Sequence, residues 1–324
     1  MANLRLNFAC GPYDRTQALR DGTIKPDGID LNYITLQPAE IFWRMLQYQE
    51  FHASEMSLSN YTSLVSDGNA PFIAIPAFPS RVFRHGYFFV NTSKGIKKPS
   101  DLKGKRGGVP EYSMTAAVYM RGLMQSEFGV KPSDVEWVQG RTDRLGRKLP
   151  ADVRLTQAPA GTELGDMLER GELDFLITAN NPLSFRRGAK TVRRLFPNYA
   201  EVEKDYYRRT KIYPIMHTVV IRREVYEQHP WIAQSLYKAF AQAQREVYED
   251  LRETAALKFM LPWLIRHAED TRSLMGEDFW PYGVEPNLHC LSTFLRYAHE
   301  QGLAKRLLAP QELFVPESLE SFKI

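Results

Sequence analysis

The stretch GIDLNYITLQPAEIFWRMLQYQEFHASEMS, Gly28–Ser57, holds two strand-like segments with a helical segment between them. It starts at the turn signal PDG and continues as an alternating run, which predicts a strand over residues 28–36. Pro38 begins a segment with apolar residues at helical spacing, and residues 53–68 read as a short strand and then a helix. This succession of strand, helix and strand indicates an α/β protein.

The same alternation continues along the rest of the chain. Further strands are predicted at LRLNFA (4–9), PFIAIPAF (71–78), VFRHGYFFV (82–90), VEWVQG (135–140) and LDFLIT (173–178), and inside IYPIMHTVVIRREV (212–225). Helices are predicted at SMTAAVYMRGLMQSEFG (113–129), at LGDMLERG (164–171) and over most of the chain after Pro230. Ser113 or Thr115 is the expected cap of the first of these helices, and Gly129 its expected stop.

The composition excludes several classes of protein. With 44% hydrophobic and 25% charged residues, the chain is neither disordered nor fibrous. Its formal net charge is +4 and its basic residues are scattered, which argues against a nucleic-acid partner. Two cysteines form neither a zinc motif nor a disulfide framework. Since the first residues lack an apolar signal segment and no stretch is long and apolar enough to cross a membrane, we expect a cytoplasmic protein without a membrane partner.

Two domains are expected in 324 residues. The segment NTSKGIKKPSDLKGKRGG, residues 91–108, is polar, basic and rich in glycine, as boundaries between domains often are. Ligands of open α/β sheets bind beyond the carboxyl ends of strands, so the polar loops at those ends are the candidate site. The loops are Gly11–Arg15, Glu55–Ser59, Pro79–His85, Pro110–Thr115 and Ala179–Pro182.

The stretch FPSRVFRHGYFF, residues 78–89, places charges among aromatic rings. If residues 81–85 are extended, Arg81, Phe83 and His85 share one face and Arg84 lies on the other. A guanidinium and an imidazole beside a phenyl ring suit an aromatic acid, whose carboxylate accepts from the guanidinium fork. The alternative is that both arginines are structural ion-pair partners.

The turn after the first strand carries Tyr13, Asp14 and Arg15, which form either part of a site or a local ion pair. Glu55, beside the apolar Met56, is expected either to have a raised pKa and act as an acid or to lie on the surface. His217 lies in an apolar strand, where it is either a proton shuttle or a core residue.

Ser113 and Thr115 at a helix start either bind an anion or only cap the helix. His85, His217, Glu55 and Asp14 would be the ligands of a metal site, although no HxH or HExxH spacing supports one. The chain has no GxGxxG fingerprint, P-loop or GxSxG motif, which argues against nucleotide cofactors and serine hydrolysis.

Several segments together resemble the 4,5-dihydroxyphthalate decarboxylases. They are FACGPYDR, SEMS, IPAFPSRVFRHGYFFVN, LKGKRGGVPEYSMTAA, VEWVQG, DYYRRTKIYPIMHTVVIRREVYEQHP and the late LPW and WPYGVEPN. The resemblance implies a two-lobed type 2 periplasmic-binding-protein-like fold, with a ligand cleft between its α/β lobes. One lobe would combine residues 1–90 with 217–324, and residues 91–216 would form the other.

The resemblance also implies a function: non-oxidative decarboxylation of 4,5-dihydroxyphthalate, or a close hydroxylated aromatic acid, to protocatechuate and CO2. No cofactor is expected, with a divalent metal as the open alternative, and the partner is a small aromatic dicarboxylate; the chain could also form a homo-oligomer. The competing hypothesis is a solute-binding protein without catalysis for an aromatic or other anionic molecule.

This function assigns roles to the candidate residues. A cation must hold the carboxylate that stays, a base must accept a phenolic proton, and an acid must protonate the ring carbon. The residues predicted to be catalytic are Glu55, His85, His217 and Asp14. The residues predicted to bind substrate are Arg81, Arg84, Arg15, Tyr13, Phe83, Tyr112, Ser113, Thr115 and Asn180.

Overall fold

The structure is a computed structural model that describes residues 3–318. Its strands are β1 (Leu4–Cys10), β2 (Ile29–Thr35), β3 (Ala53–Ser57), β4 (Phe72–Arg81), β5 (Phe88–Asn91), β6 (Arg106–Val109), β7 (Glu136–Gln139), β8 (Arg154–Gln157), β9 (Phe175–Ile177), β10 (Val192–Arg194) and β11 (Ile215–Arg222). Its α-helices are α1 (Gln17–Arg20), α2 (Pro38–Tyr48), α3 (Leu58–Ser66), α4 (Thr115–Phe128), α5 (Leu164–Arg170), α6 (Leu183–Arg186), α7 (Tyr199–Thr210), α8 (Arg223–Gln228), α9 (Trp231–Asp250), α10 (Leu264–Met275) and α11 (Leu288–Glu300). The α/β class predicted from the sequence is confirmed.

The residues form two compact units by their internal contacts. The first contains residues 3–81, 217–291 and 308–318, and the second contains residues 82–216 and 292–307. The boundaries predicted from the sequence lie after residues 90 and 216, whereas residues 82–90 and 292–307 both pack in the second unit. The ends of the predicted ranges, residues 1–2 and 319–324, lie outside the described residues.

The first unit is built on a five-stranded sheet in the order β2-β1-β3-β11-β4. β1 pairs in parallel with β2 and with β3, while β11 is antiparallel to β3. All five residues of β3 are buried, as expected of a central strand that is covered on both faces. α2 packs against β3, and α9 packs against β4.

The second unit is built on a six-stranded sheet in the order β10-β5-β9-β6-β7-β8. β6, β7, β8 and β9 form parallel pairs, and the antiparallel β5 and β10 extend the sheet at one side. Its core includes Phe89, Val138, Leu168 and Leu176. Within residues 3–318, no helix is both long enough and apolar enough to cross a bilayer.

The prediction of a strand throughout residues 82–90 is wrong. β4 ends at Arg81, and a 3₁₀ turn over His85–Tyr87 precedes β5. Between β4 and β5 the backbone makes other hydrogen bonds: the N–H of Val82 donates to the carbonyl of Pro214, and that of Gly86 donates to a Glu203 carboxylate oxygen. Arg81, Phe83 and His85 therefore do not share the face of one strand.

The predicted start of α4 also needs correction. Neither Ser113 nor Thr115 is its N-cap; Met114 occupies that position, and its side chain makes no capping hydrogen bond. The predicted stop is confirmed, because Gly129 ends the helix in the left-handed conformation at a φ of 67°. The polar segment of residues 141–163, for which no strand or helix is predicted from the sequence, contains β8.

Candidate active site

Glu55 and His217 meet across two neighbouring strands of the first unit. Glu55 in β3 is opposite Val219 in β11, and His217 is opposite Ser57. Residues two positions apart along a strand point to the same face, so Glu55 and His217 are diagonal neighbours. Oε1 of Glu55 lies 2.5 Å from Nδ1 of His217. The antiparallel pairing thus joins two candidate residues that are distant in the sequence.

Glu55 receives further hydrogen bonds from the end of β1, its parallel neighbour. The Tyr13 hydroxyl donates to Oε1 at 2.6 Å, and the Gly11 N–H donates to Oε2 at 3.0 Å. The Cys10 thiol lies 3.7 Å from Oε2. The predicted convergence of the loop Gly11–Arg15 with the segment around Glu55 is therefore confirmed inside this unit.

The predicted raised pKa of Glu55 is wrong. Burial of this fully enclosed carboxyl would by itself raise its pKa. The positive charge that His217 has when protonated and its hydrogen bond, together with the hydrogen bonds from Tyr13 and Gly11, outweigh burial and lower the pKa of Glu55 below its ordinary value. Glu55 is consequently a carboxylate at neutral pH, and the apolar neighbour Met56 did not decide its charge.

The imidazole of His217 is held in a defined orientation. Its Nδ1 faces Glu55, and the ring of Phe42 packs edge-on against it with ring centroids 4.9 Å apart. Within residues 3–318, its Nε2 has no hydrogen-bond partner, and 17% of the side chain is exposed. A carboxylate at Nδ1 stabilises the tautomer that carries its proton there, which leaves Nε2 to exchange protons with another molecule.

Gly11 makes the contact between Tyr13 and Glu55 sterically feasible. A Cβ atom on Gly11 would lie 2.8 Å from Cε2 and 2.9 Å from Cζ of the Tyr13 ring, closer than real Cβ atoms approach. The hydroxyl of Tyr33 donates to the Gly11 carbonyl at 2.7 Å and holds the turn from its other side. Gly11 is therefore needed because it lets the Tyr13 ring approach the backbone closely, and not because the backbone has an unusual conformation there.

Arg15 is enclosed beside this pair by two aromatic rings. Its guanidinium carbon lies 4.4 Å from the ring centroid of Tyr13 and 4.3 Å from that of Trp280. Its Nε donates to the Pro79 carbonyl at 2.7 Å, and its Nη1 donates to Oδ1 of Asp14 at 2.8 Å. The predicted Asp14–Arg15 ion pair is thus present, and both residues lie in the same unit as Glu55 and His217.

Arg81, the other candidate anchor of the first unit, makes hydrogen bonds to residues of the same unit. Its Nη1 donates to the Pro281 carbonyl at 3.1 Å, and its Nη2 donates to Oδ1 of Asn287 at 2.9 Å. The side chain is buried, so these bonds connect the end of β4 to the segment before α11. These partners are a carbonyl and an amide oxygen rather than the carboxylate of the ion pair that was the predicted alternative, and the binding of substrate by Arg81 stays a prediction.

The second unit contains Phe83, Arg84 and His85. Burial, with a smaller effect of the Arg209 charge, lowers the pKa of His85 to about 4, so its ring is neutral at pH 7. The ring packs against Phe196 and Tyr206, and its Nδ1 is buried.

Arg84 and Phe83 have different surroundings in this unit. Burial lowers the pKa of Arg84 to about 10, and the side chain contacts the Met216 sulfur and the Ala179 carbonyl. Phe83 stacks on Tyr213 with centroids 4.6 Å apart.

Four more predicted residues lie in the second unit. Tyr112 is buried under the guanidinium of Arg121, 3.6 Å from its ring centroid. Ser113 donates its backbone N–H to Asp143 at 3.0 Å, and Thr115 is buried as the first residue of α4. Asn180 lines a pocket of about 530 Å³ at the carboxyl ends of β6, β7 and β9, together with Pro110 and Arg141.

Sequence reasoning missed two residues of the first unit. Phe42 packs on His217 and Trp280 packs on Arg15, yet neither is a charged or titratable residue of the kind that marks a site in a sequence. The one signal for Trp280 is its place in the WPYGVEPN segment that carries part of the family resemblance. Within residues 3–318, no three His, Cys, Asp or Glu side chains are grouped so that they could hold a metal ion.

The structural comparisons identify the fold. The chain is similar to the periplasmic aliphatic sulphonate binding protein SsuA of Escherichia coli, with a TM-score of 0.53 and 12% identity over 98% of this chain and 99% of that one. It is also similar to the alkanesulfonate-binding protein SsuA of Xanthomonas axonopodis pv. citri, with a TM-score of 0.54 and 9% identity over 97% and 99% of the two chains. These likenesses confirm the predicted periplasmic-binding-protein-like fold.

The sequence comparisons identify the family. The model of the family described as NMT1/THI5 like matches residues 56–149. A 4,5-dihydroxyphthalate decarboxylase of Pseudomonas putida is 40% identical over 64% of this chain and 83% of its own length. A 4,5-dihydroxyphthalate decarboxylase of Comamonas testosteroni is 42% identical over the full length of both chains. The chain therefore belongs to the 4,5-dihydroxyphthalate decarboxylase family.

Proposed function

We propose that this protein is a carboxy-lyase that converts 4,5-dihydroxyphthalate to protocatechuate and CO2. The observation that carries the proposal is the full-length similarity to a decarboxylase named for this substrate. The alternative of a solute-binding protein without catalysis rests on the fold alone, and a fold hosts many functions. The Glu55–His217 pair adds a group suited to proton transfer, which binding alone does not need.

The substrate itself suggests the reaction path. Each ring carboxylate has a hydroxyl group para to it, so removal of that phenolic proton moves electron density to the carbon that bears the carboxylate. This carbon takes up a proton that comes ultimately from solvent. The C–C electron pair stays in the ring when CO2 leaves, and aromaticity returns. No net oxidation occurs, so the reaction as proposed uses no redox cofactor.

We assign the phenolic proton to His217. Its Nδ1 is bound to the Glu55 carboxylate, so Nε2 is the atom that accepts the proton and later returns it. Glu55 was a candidate proton donor, but its lowered pKa and complete burial favour a positioning role behind His217. Arg15 is our choice for the cation that holds the retained carboxylate, because both terminal nitrogens of Arg81 already donate hydrogen bonds to Pro281 and Asn287.

The purified protein, mixed with 4,5-dihydroxyphthalate, tests the proposal. We expect one equivalent each of CO2 and protocatechuate; tight binding without release of CO2 would favour the solute-binding alternative instead. Activity that persists after exhaustive chelation would reject the metal-assisted alternative.

A role in phthalate degradation follows from the proposed reaction. A cytoplasmic location and a homo-oligomer stay predictions, which cell fractionation and light scattering would test.

A further inference from the structure

The guanidinium of Arg15 is fixed in both position and plane. The rings of Tyr13 and Trp280 lie within 4.4 Å and 4.3 Å of its carbon, and such contacts stabilise a planar cation. Hydrogen bonds from Nε to Pro79 and from Nη1 to Asp14 also prevent rotation within that plane. An arginine on a surface loop usually keeps many rotamers, whereas this one presents a single orientation.

The described residues leave one nitrogen of this cation, Nη2, for a ligand. Among residues 3–318, the hydrogen bonds of the guanidinium use Nε and Nη1, and none uses Nη2. The side chain is 17% exposed. Asp14 already balances part of the positive charge of the guanidinium. The fixed orientation of Nη2, more than the net charge, would therefore determine which anion binds there.

Trp280 is itself held by the surrounding chain. Its indole N–H donates to the Phe78 carbonyl at 2.8 Å, and its backbone N–H donates to the Tyr248 hydroxyl at 3.0 Å. These bonds link it to β4 and to α9. The indole face is therefore a fixed surface on which the guanidinium rests, which makes Trp280 a positioning residue for Arg15.

Tyr13 connects this arginine to the proton-transfer pair. Its ring stacks on Arg15, while its hydroxyl donates to Glu55, the partner of His217. The order of direct contacts is thus Arg15, Tyr13, Glu55, His217. An anion site and a proton-exchange site share one tyrosine.

The chemistry of the proposed reaction poses a problem of selectivity. Protocatechuate, the product, still has a carboxylate para to a hydroxyl group, so the same electronic push would remove a second CO2 and leave catechol. A site that recognised only the reacting half of the molecule would not distinguish product from substrate. The retained ortho carboxylate is the group that distinguishes them.

We propose that Arg15, positioned by Trp280 and Tyr13, is a specificity-determining anchor for that ortho carboxylate and thereby limits the enzyme to one decarboxylation. This inference rests on the proposed function. A dicarboxylate places one carboxylate at Nη2 and the other carboxylate-bearing carbon at the reacting position. A monocarboxylate places its single carboxylate at Nη2, so no carboxylate remains at the reacting position.

Ligand binding tests the anchor without any requirement for turnover. We would measure by calorimetry the affinities of phthalate, which has both carboxylates and no hydroxyl, and of catechol, which has neither carboxylate. Trp280→Leu and Arg15→Lys should each lower the affinity for phthalate about tenfold, since either change removes the fixed planar guanidinium. The affinity for catechol should stay within about twofold of the wild-type value. Trp280→Phe keeps an aromatic face and should restore most of the phthalate affinity.

Trp263→Leu is the matched control, because Trp263 is 69% exposed and lies in the same unit. Should Trp280→Leu fail to fold, Arg15→Lys and Trp280→Phe still carry the test. Equal losses for phthalate and catechol, or unchanged phthalate affinity in both Arg15→Lys and Trp280→Leu, would overturn the anchor.

Turnover separates the inference from the proposed function. The wild type should release one CO2 from 4,5-dihydroxyphthalate and form no catechol, and Trp280→Leu should raise KM more than it lowers kcat. If the wild type releases no CO2, the proposed function fails, whatever the binding experiment shows. If the wild type forms catechol, the reaction stands and the limit to one decarboxylation is rejected.

Discussion

Glu55 in the first unit and Glu111 in the second are both glutamates with no exposed surface, yet their pKa values shift in opposite directions. Burial raises the pKa of Glu111, and the negative charge of Asp143 raises it further. The positive charges of Arg144 and Arg141 lower it, but not by enough to cancel this increase. For Glu55, burial is outweighed by His217, Tyr13 and Gly11. Complete burial alone therefore does not determine the charge of a carboxyl group.

The difference lies in how close the donors are and in which charges lie nearby. Glu55 accepts hydrogen bonds at 2.5–3.0 Å from three groups, His217, Tyr13 and Gly11. Glu111 has one short contact, 2.6 Å to the Arg144 guanidinium, while Arg141, the Ser113 hydroxyl and the Arg144 N–H each lie 3.4 Å from it. It follows that Glu55 is built to stay ionised, whereas Glu111 anchors the loop that carries the two arginines.

The largest expected effect concerns activity. Glu55→Gln should lower kcat by about 10²–10⁴, because His217 loses the carboxylate that orients it as a proton acceptor. Glu111→Gln, the matched change at a buried glutamate, should retain kcat within about threefold. Steady-state assays with 4,5-dihydroxyphthalate measure both. Equal losses in the two variants would contradict the separate roles of the two glutamates.

Stability should depend on pH with opposite signs for the two residues. The pKa of Glu55 is lowered in the folded state from its ordinary value of 4.5. The unfolding free energy of the wild type, relative to that of Glu55→Gln, should therefore be highest above pH 4.5 and should fall as the pH decreases through the folded pKa. The pKa of Glu111 is raised from 4.5, so the wild type should lose stability relative to Glu111→Gln as pH rises from 4.5 through the folded pKa.

Urea unfolding from pH 3.5 to pH 8 would measure these trends, and the difference in unfolding free energy between wild type and variant should change in opposite directions for the two residues. Each variant serves as the control for the other, since both replace a buried carboxyl by an amide. Parallel pH trends would show that the contrast between the two sites is absent.

A smaller effect is expected from Gly11→Ala. The added methyl group would displace the Tyr13 ring, since the Cβ position lies 2.8 Å from that ring. We expect a destabilisation of about 1–3 kcal/mol and a reduced kcat, as overpacking generally costs this much. Gly129→Ala lies outside the site and is the control for glycine replacement in general; a fall in kcat there as well would point to a global cause.

The smallest effect is expected from Tyr13→Phe. It removes one of the donors to Glu55 and keeps the ring on Arg15, so stability should fall by about 1 kcal/mol and the pKa of Glu55 should rise. Carboxyl chemical shifts in an NMR titration would report the pKa directly. An unchanged pKa would assign the ionisation of Glu55 to His217 and the Gly11 N–H.

Local pattern predicted much of the secondary structure and part of the site. Alternating and helical runs identified the strands and helices around residues 28–68, because each has a period set by its own geometry. The loop Gly11–Arg15 and the segment of Glu55 were expected to converge, since parallel neighbours end at the same edge of a sheet. The segment 82–90 was misread as a strand because its apolar composition does not reveal where its backbone hydrogen bonds go.

By itself the sequence determined the α/β class, the family, and the residue types available for anion binding and proton transfer. Only the tertiary structure decided which of them act together. Glu55 and His217 are separated by 162 positions, and Arg15 and Trp280 by a still longer stretch of chain, so strand pairing and packing alone bring them into contact. A pKa or the orientation of a guanidinium depends on atoms within a few ångströms, and sequence distance contains no information about those atoms.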